Sequence, residues 1–358
     1  MIRPTVDVNL FVHNGAATVA EALDSVLTQT WQSLTVTVID NASTDDTCRI
    51  VADIAATDGR VRLQRNAANI GPVLNCQKAF WHGQSDYVMP KTADDLLAPD
   101  FIEAVMEELR ANPATAMCHA AGVVFGDDRR ISQHYPPEHR LHATGPDAAA
   151  RARHVMARYT SAPAFWGIYR RATVDLLAPL AYRPGWDHAV LAELALYGEI
   201  RHVPDPLFWR RHGGKPVDQL ARGCSQFTQR GLPHDDDLAD LYWAMPLIGT
   251  AYAHIERFAL AHLGTTERLD LMDAVPPIFR ARWLPVMRRE ATLFRDALPP
   301  RIDRLASALP TQRLWSARQI AGALDALQTL TPEIDVAGER LALQALLDAD
   351  QTVPAYSS

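Results

Sequence analysis

Between residues 6 and 112 the chain switches repeatedly between two hydrophobic periods, and few folds accommodate such an alternation. Val6 to Val12 alternates and reads as a strand, and Leu34 to Ile39 is a second, apolar and β-branched, strand. Ala17 to Thr28 instead places Val19, Ala22, Leu23, Val26 and Leu27 at helical spacing, and Cys48 to Ala56 reads as a second helix. Val61 to Gln64, Val73 to His82, Asp86 to Met89 and Phe101 to Asn112 continue the series. Crossovers between parallel strands are right-handed and lay helices over the sheet, so the chain is predicted to form an α/β domain whose mostly parallel sheet carries helices on both faces.

That alternation fixes where the polar clusters fall. His13-Asn14-Gly15, Asp40 to Thr47, Asn69-Ile70-Gly71 and Thr92 to Asp95 all follow strands, and open α/β sheets bind ligands beyond the carboxyl ends of their strands. The last cluster is the most demanding. Two adjacent carboxylates, Asp94 and Asp95, at a strand tip are costly without a compensating positive charge. A hard cation such as Mg²⁺ or Mn²⁺ bridging a diphosphate would supply one. An acidic cap on the helix from Phe101 is the plainer alternative. Asp40 suits a nucleobase or ribose hydrogen bond, or equally a helix cap. Asp45, Asp46 and Thr47 read as N-cap residues, and Asn14 and Asn69 as turn formers. Neither GxGxxG nor GxxxxGK[ST] occurs after the first strand, so a dinucleotide site or P-loop is unsupported.

Composition narrows the classes further. A formal charge of −7 argues against a dedicated nucleic-acid binder, and 48% hydrophobic residues support a real core. The basic residues are almost all Arg, which suits bidentate phosphate and carboxylate contacts; Lys occurs only at 78, 91 and 215. Cys48, Cys76, Cys118 and Cys224 form no metal-ligand spacing and fit a reduced setting. No signal sequence or membrane span is evident; the nearest apolar stretch, Leu241 to Leu263, contains His254, Glu256 and Arg257. The expected location is cytoplasmic, with peripheral docking at the inner membrane face as a variant.

Several segments in order carry a resemblance: Val8 to Gln29 with Asn14-Gly15, Val38 to Thr47, Asn69-Ile70-Gly71 with Asn75, and Ala93-Asp94-Asp95 with Pro99. Together they resemble the nucleotide-sugar domain of family 2 glycosyltransferases, over about the first 115 residues. The resemblance implies the GT-A fold, a Rossmann-like sheet, with inverting transfer from a nucleoside diphosphate sugar to a glycan, lipid-linked or small-molecule hydroxyl. It places Val12, His13, Asn14, Asp40, Asn41 and Asn69 at the nucleotide, with Asp40 at the base. Lys91 and Thr92 fall at the phosphates. Asp94 is the last carboxylate of the metal motif, with Asp95 as a second ligand for Mn²⁺ or Mg²⁺. Two departures stand out. Thr92 occupies a place where many members have Asp, and Asn41 follows Asp40 where many have a second Asp.

Beyond residue 115, Ala116 to Phe125 reads as a strand. Gly126 to Pro146 reads as a polar, His- and Pro-rich acceptor or lid loop, and Ala150 to Tyr159 as a helix. In Arg183-Pro184-Gly185-Trp186-Asp187-His188 the Asp opens a helix, by default as its cap. The resemblance makes Asp187 the general base, with His188 the second candidate because its pKa suits proton transfer. Arg210, Arg211 and His212 follow a strand-like run and would neutralise the departing diphosphate. A catalytic domain over residues 1–230 is expected. A helical C-terminal region over 231–358 would follow, with helices at Leu238 to Leu263, Thr266 to Ala274, Pro277 to Ala297, Arg301 to Leu309, Gln312 to Leu330 and Val336 to Leu347; it could serve as a homodimer interface. A non-catalytic nucleotide-sugar or glycan-binding module is the alternative, motivated by Thr92 and Asn41. A nucleotidyltransferase is disfavoured because no Gly-rich basic loop follows the first strand.

Overall fold

In a computed structural model, which describes residues 3–158, 163–179, 184–211, 245–305 and 310–351, the predicted alternation is realised. Strands β1 (Val6–Val12), β2 (Leu34–Asp40), β3 (Val61–Arg65) and β4 (Tyr87–Thr92) alternate with helices α1 (Val19–Leu27), α2 (Thr47–Ala55) and α3 (Pro72–Trp81). Their pairings, β1 to β2, β1 to β4 and β2 to β3, are all parallel. Val6, Val8 and Leu10 of β1 are fully buried, as are Val36 and Val38 of β2, so apolar residues recur at every second position along each strand.

The other half of the sheet is mixed. Helix α4 (Phe101–Ala111) follows the two-residue strand β5 (Leu96–Leu97). It leads to β6 (Thr115–Phe125), β7 (Ile131–His134), β8 (Ile168–Arg170) and β9 (Glu199–Arg211). Strand order is β3-β2-β1-β4-β8-β6-β9-β5, with β7 beside β6. Strand β8 runs antiparallel to both β4 and β6, while β9 is parallel to β6 and antiparallel to β5. The β5 to β9 pairing sets Leu96 opposite Trp209, so the end of β9 lies beside the carboxylate turn. Gly126 to Pro146 is not an open loop: β7 folds back on β6, a 3-10 turn covers Pro137–His139, and Ala143 bridges Ile200. Helix α5 (Ala148–Ala157) is capped by Asp147, whose carboxylate accepts from Ala150 N at 2.9 Å.

Asp7 of β1 is buried, and its carboxylate is satisfied there. Asp7 accepts from Thr35 Oγ1 at 2.6 Å and from Ser85 N and Oγ, and pairs with Arg171 at 3.3 Å. Burial raises its pKa, but these hydrogen bonds and the Arg171 charge outweigh burial and hold it below the ordinary value. Gly83, at φ +91°, is required here, because a Cβ would lie 2.0 Å from Asp7 Oδ2.

After the short α6 (Arg171–Val174), helix α7 (Trp186–Tyr197) packs almost entirely buried. The remaining elements are helices: α8 (Pro246–Leu260), α9 (Thr265–Ala297), α10 (Pro299–Leu305), α11 (Pro310–Leu330) and α12 (Ala337–Gln351). A break was expected between Ala274 and Pro277, yet α9 runs through Pro276, Pro277 and Pro285 as one helix. Burial of Leu271, Val275, Phe279, Met287 and Phe294 along it offsets the missing backbone donors. The described residues of Met1–Leu180, Asp187–Pro216 and Leu260–Thr265 form one compact unit, and those of Ala181–Trp186, Val217–Ala259 and Thr266–Ser358 a second. The boundary expected at residue 230 falls within 212–244, outside the described residues. Among the described residues no helix is long and apolar enough to cross a membrane.

Candidate active site

The first wall of the site is the end of β1 and β2. Val12 is buried, and its carbonyl accepts from Asn41 N at 2.8 Å. His13 is exposed, with Nδ1 3.0 Å from the Asn41 carbonyl. Asn14, at φ 53°, receives Thr44 N on its Oδ1 and donates its own N–H to Ser43 Oγ, both at 2.8 Å. Asp45 accepts from Ala16 N and Thr47 N, so the capping role expected of this segment falls to Asp45. Asp40 is fully buried: Oδ2 accepts from Ser43 N at 3.0 Å and faces Arg65 Nε at 3.4 Å. Oδ1 is buried and accepts no hydrogen bond of ordinary geometry among the described residues, and the Cys48 thiol lies beside the carboxylate.

Asn41 explains its own departure from the family pattern. Its Nδ2 donates to Asn69 Oδ1 at 2.7 Å and to the Gly71 carbonyl at 3.3 Å, while its Oδ1 accepts from Asn66 Nδ2 and Ile70 N. Asn66 also donates to Asn75 Oδ1 at 2.9 Å, and Asn75 donates to the Ile39 carbonyl at 3.0 Å. An aspartate at 41 has no N–H to give. The amides of Asn41 and Asn69 therefore fasten the β3–α3 turn to the end of β2.

The carboxylate turn is held from three sides. Lys91 is fully buried, in register beside Leu10, and its Nζ donates to the carbonyls of Thr92, at 3.0 Å, and Asp95. Its expected phosphate contact is thus corrected: the ammonium faces backbone, not solvent. Burial brings its pKa down to about 8 against the opposing pull of Asp95 and Asp94. The Oγ1 of Thr92 donates to Asp95 Oδ2 at 2.6 Å, a bond an ionised aspartate could not make. Asp95 is 4% exposed, and its Oδ1 accepts from Arg211 N at 2.9 Å. Burial, together with the neighbouring Asp94 charge, pushes its pKa up. With both oxygens engaged, Asp95 shapes the turn and does not offer a free second ligand. Asp94 is exposed, and its carboxylate accepts no hydrogen bond among the described residues.

Among the described residues no cluster of three or more His, Cys, Asp or Glu side chains is arranged to hold a metal ion. The donor set still fits a hard cation bound largely through its ligand: one free carboxylate, Asp94, with diphosphate oxygens and water for the rest.

Arg210 and Arg211 part company. Arg211 pairs with Glu21 and, at 3.1 Å, with Asp127, donates Nε to the Asp94 carbonyl, and lies 4.7 Å over the Phe125 ring. Its charge is engaged in fastening α1 and the β6–β7 turn. Arg210 donates to the Tyr135 hydroxyl at 3.0 Å, and its charge interacts with Asp95 and Asp94. It also acts on Asp187. His212 lies outside the described residues.

Asp187 sits in the first turn of α7. Burial raises its pKa, opposed by the His188 N–H at 2.9 Å and by the Arg210 charge. The Cys76 thiol and Tyr169 hydroxyl both feel its charge and are themselves pushed up, burial being the larger cause in each. His188, the second candidate, is 3% exposed. Sequence reasoning missed Tyr135, Glu21 and Arg65. Only Tyr135 left a signal, an aromatic hydroxyl within an otherwise His- and Pro-rich segment.

Residues 8–172 match the model of Glycosyl transferase family 2. The EpsE protein of Bacillus subtilis, which carries a provisional glycosyltransferase name, is 32% identical over 101 residues, covering 28% of this chain and 36% of its own length. Chondroitin synthase of Escherichia coli is 31% identical over 118 residues, 32% of this chain and 16% of that protein. The chain therefore spans well under two thirds of either relative. S. aureus TarS 1-349 in complex with UDP-GlcNAc superposes with a TM-score of 0.56 at 14% identity, covering 91% of this chain and 90% of that one. Over residues 8–172, which carry the ordered strand-end clusters, the chain thus matches glycosyltransferase family 2, and its sheet has the GT-A fold.

Proposed function

We propose that the protein is an inverting glycosyltransferase that moves a sugar from a nucleoside diphosphate sugar to an acceptor hydroxyl. The observation that carries this reading is the position of Arg210, whose charge acts on Asp94, Asp95 and Asp187 alike. The leaving-group end and the proposed base thus share one electrostatic site. In the reaction, the acceptor oxygen attacks C1 of the sugar, the bond from C1 to the diphosphate oxygen breaks, and the acceptor proton passes to the Asp187 carboxylate. Desolvation makes that carboxylate a stronger base than an exposed one, and the His188 N–H and the Arg210 charge oppose that rise. Arg210 also stabilises negative charge gathering on the departing diphosphate. Asp94 would hold a divalent cation, Mn²⁺ or Mg²⁺, which supplies further neutralisation of the diphosphate when bound. The Oδ1 of Asp40 suits an N–H of the base.

Incubation with a panel of nucleotide sugars, with and without Mn²⁺, tests the proposal through donor turnover and thermal shift. Silence in both readouts across the panel refutes it. The single free carboxylate at the turn favours one other reading, a nucleotide-sugar-binding module without turnover. A thermal shift with no donor consumption, in the presence of acceptors, supports that reading instead.

A further inference from the structure

We infer that Lys91 is a positioning residue of the donor site: its buried ammonium, bonded to the carbonyls on either side of Ala93-Asp94, fixes the direction in which Asp94 presents its carboxylate. The inference rests on the reading of Asp94 as the residue that faces the diphosphate and its cation.

The position is unusual for a lysine. Lys91 lies in a strand between Pro90 and Thr92 and pairs in register with Leu10, where a buried strand ordinarily carries an apolar side chain. A lysine meant to meet phosphate keeps Nζ in solvent, whereas this one is 0% exposed. Burying an ammonium is costly unless its donors are used. Here they are used on backbone, on the carbonyls of Thr92 and Asp95. Those carbonyls bracket the residues that turn the chain. The side chains of the same residues close a second bond, Thr92 Oγ1 to Asp95 Oδ2 at 2.6 Å, and Arg211 N holds Asp95 Oδ1 at 2.9 Å. Asp94 alone within the turn is left exposed with a free carboxylate among the described residues. Every neighbour is committed inward, and the lysine supplies the bond that ties both ends of the turn to one point.

A positioning role separates from general support of the fold by its dependence on metal. Calorimetry on the full chain would measure the affinity of UDP, GDP and dTDP with and without Mn²⁺, and the nucleotide binding the wild type most tightly would be carried forward. In Lys91→Met, which keeps the length of the side chain and removes the donors, the gain in affinity conferred by Mn²⁺ is expected to fall about 10- to 100-fold, while metal-free nucleotide affinity stays near wild type. Lys91→Gln, keeping one donor group, should fall between. In an Asp94→Asn background, Lys91→Met should change the Mn²⁺-dependent gain little further, because the residue it positions is already lost. Equal loss of metal-free and metal-dependent affinity, including loss through failure to fold, overturns the inference, as does an undiminished Mn²⁺ gain in Lys91→Met. A wild type with no Mn²⁺-dependent nucleotide binding overturns the reading of Asp94 itself, and the inference with it.

Discussion

Restoring the commoner family residue at position 92 should damage this protein. Thr92→Asp replaces a hydroxyl donor 2.6 Å from Asp95 Oδ2 with a second carboxylate, beside a carboxyl that is already 4% exposed and hard to ionise. The lost bond to a charged acceptor is worth about 1.5–3 kcal/mol. Two like charges about 4 Å apart add about 4 kcal/mol of repulsion at an effective dielectric near 20. One of the pair escapes most of that repulsion by holding a proton, so a net cost of about 2–4 kcal/mol at pH 8 is expected. At about 2–4 °C per kcal/mol, the melting temperature of the sheet-bearing unit should drop by roughly 5–15 °C, read by circular dichroism in EDTA. The defect has a definite pH sense. It is largest where both carboxylates are ionised and shrinks as pH falls and a proton is taken up, which returns a donor to the pair. Thr92→Val, which removes the hydroxyl without adding charge, should show only the hydrogen-bond part. A Thr92→Asp protein as stable as wild type at pH 8, or one whose defect grows towards pH 5, refutes this account of the turn.

Other substitutions test the remaining parts of the site. Asp187→Asn should lower kcat by about 10²- to 10⁴-fold and leave nucleotide affinity intact; substantial turnover in that variant removes Asp187 from the base role. Arg210→Ala should reduce kcat by about 10²- to 10³-fold, and a loss confined to KM would mean that its charge acts equally on ground and transition states. Asn41→Asp sets a carboxylate against Asn69 Oδ1 and the Gly71 carbonyl, and should cost about 1–3 kcal/mol in urea denaturation, with no loss if the amide orientation is wrong. Glu290, buried while accepting from Leu247 N and Ile248 N, has its pKa raised by burial to about 7. The folded form therefore binds the proton more tightly, and this group's contribution declines as pH rises from the ordinary Glu value towards 7. Glu290→Gln should flatten the stability of the helical unit over that range, and an unchanged pH slope by thermal melting counts against it.

The alternating half of the sheet was legible because the central strands β1, β2 and β4 are buried along most of their length and each helix on one face, so the period survives in the residues. Strands β5 and β8 were not, being two and three residues long and defined by pairing with distant segments. A run that short has no period to read. The strand-end clusters were legible as a set, since topology alone brings them to one edge. Individual roles depended on partners far away in sequence. Thr92 differs from a failed metal ligand only through Asp95, and Asn41 from a weakened aspartate only through Asn66, Asn69 and Gly71. Arg210 and Arg211 are adjacent and chemically identical, yet only the contacts of Glu21 and Asp127 distinguish the spent charge from the one directed at the site. The prolines of α9 misled because a helix breaker is read locally, whereas the apolar face that outweighs it extends over the full 33 residues.

The linked amides of Asn41, Asn66, Asn69 and Asn75 also restrict how this chain can drift. Each amide has a donor end and an acceptor end, and the orientation of one dictates that of the next. Lys78 fixes the polarity by donating to Asn66 Oδ1 at 2.7 Å. A change at a single member reverses or removes one link and leaves a mismatched pair beside it, whereas coordinated changes at two members can restore the chain of dipoles. Variants of this protein that remain functional should therefore alter these positions in pairs, and random libraries selected for activity should recover double replacements there more often than the product of the single frequencies allows.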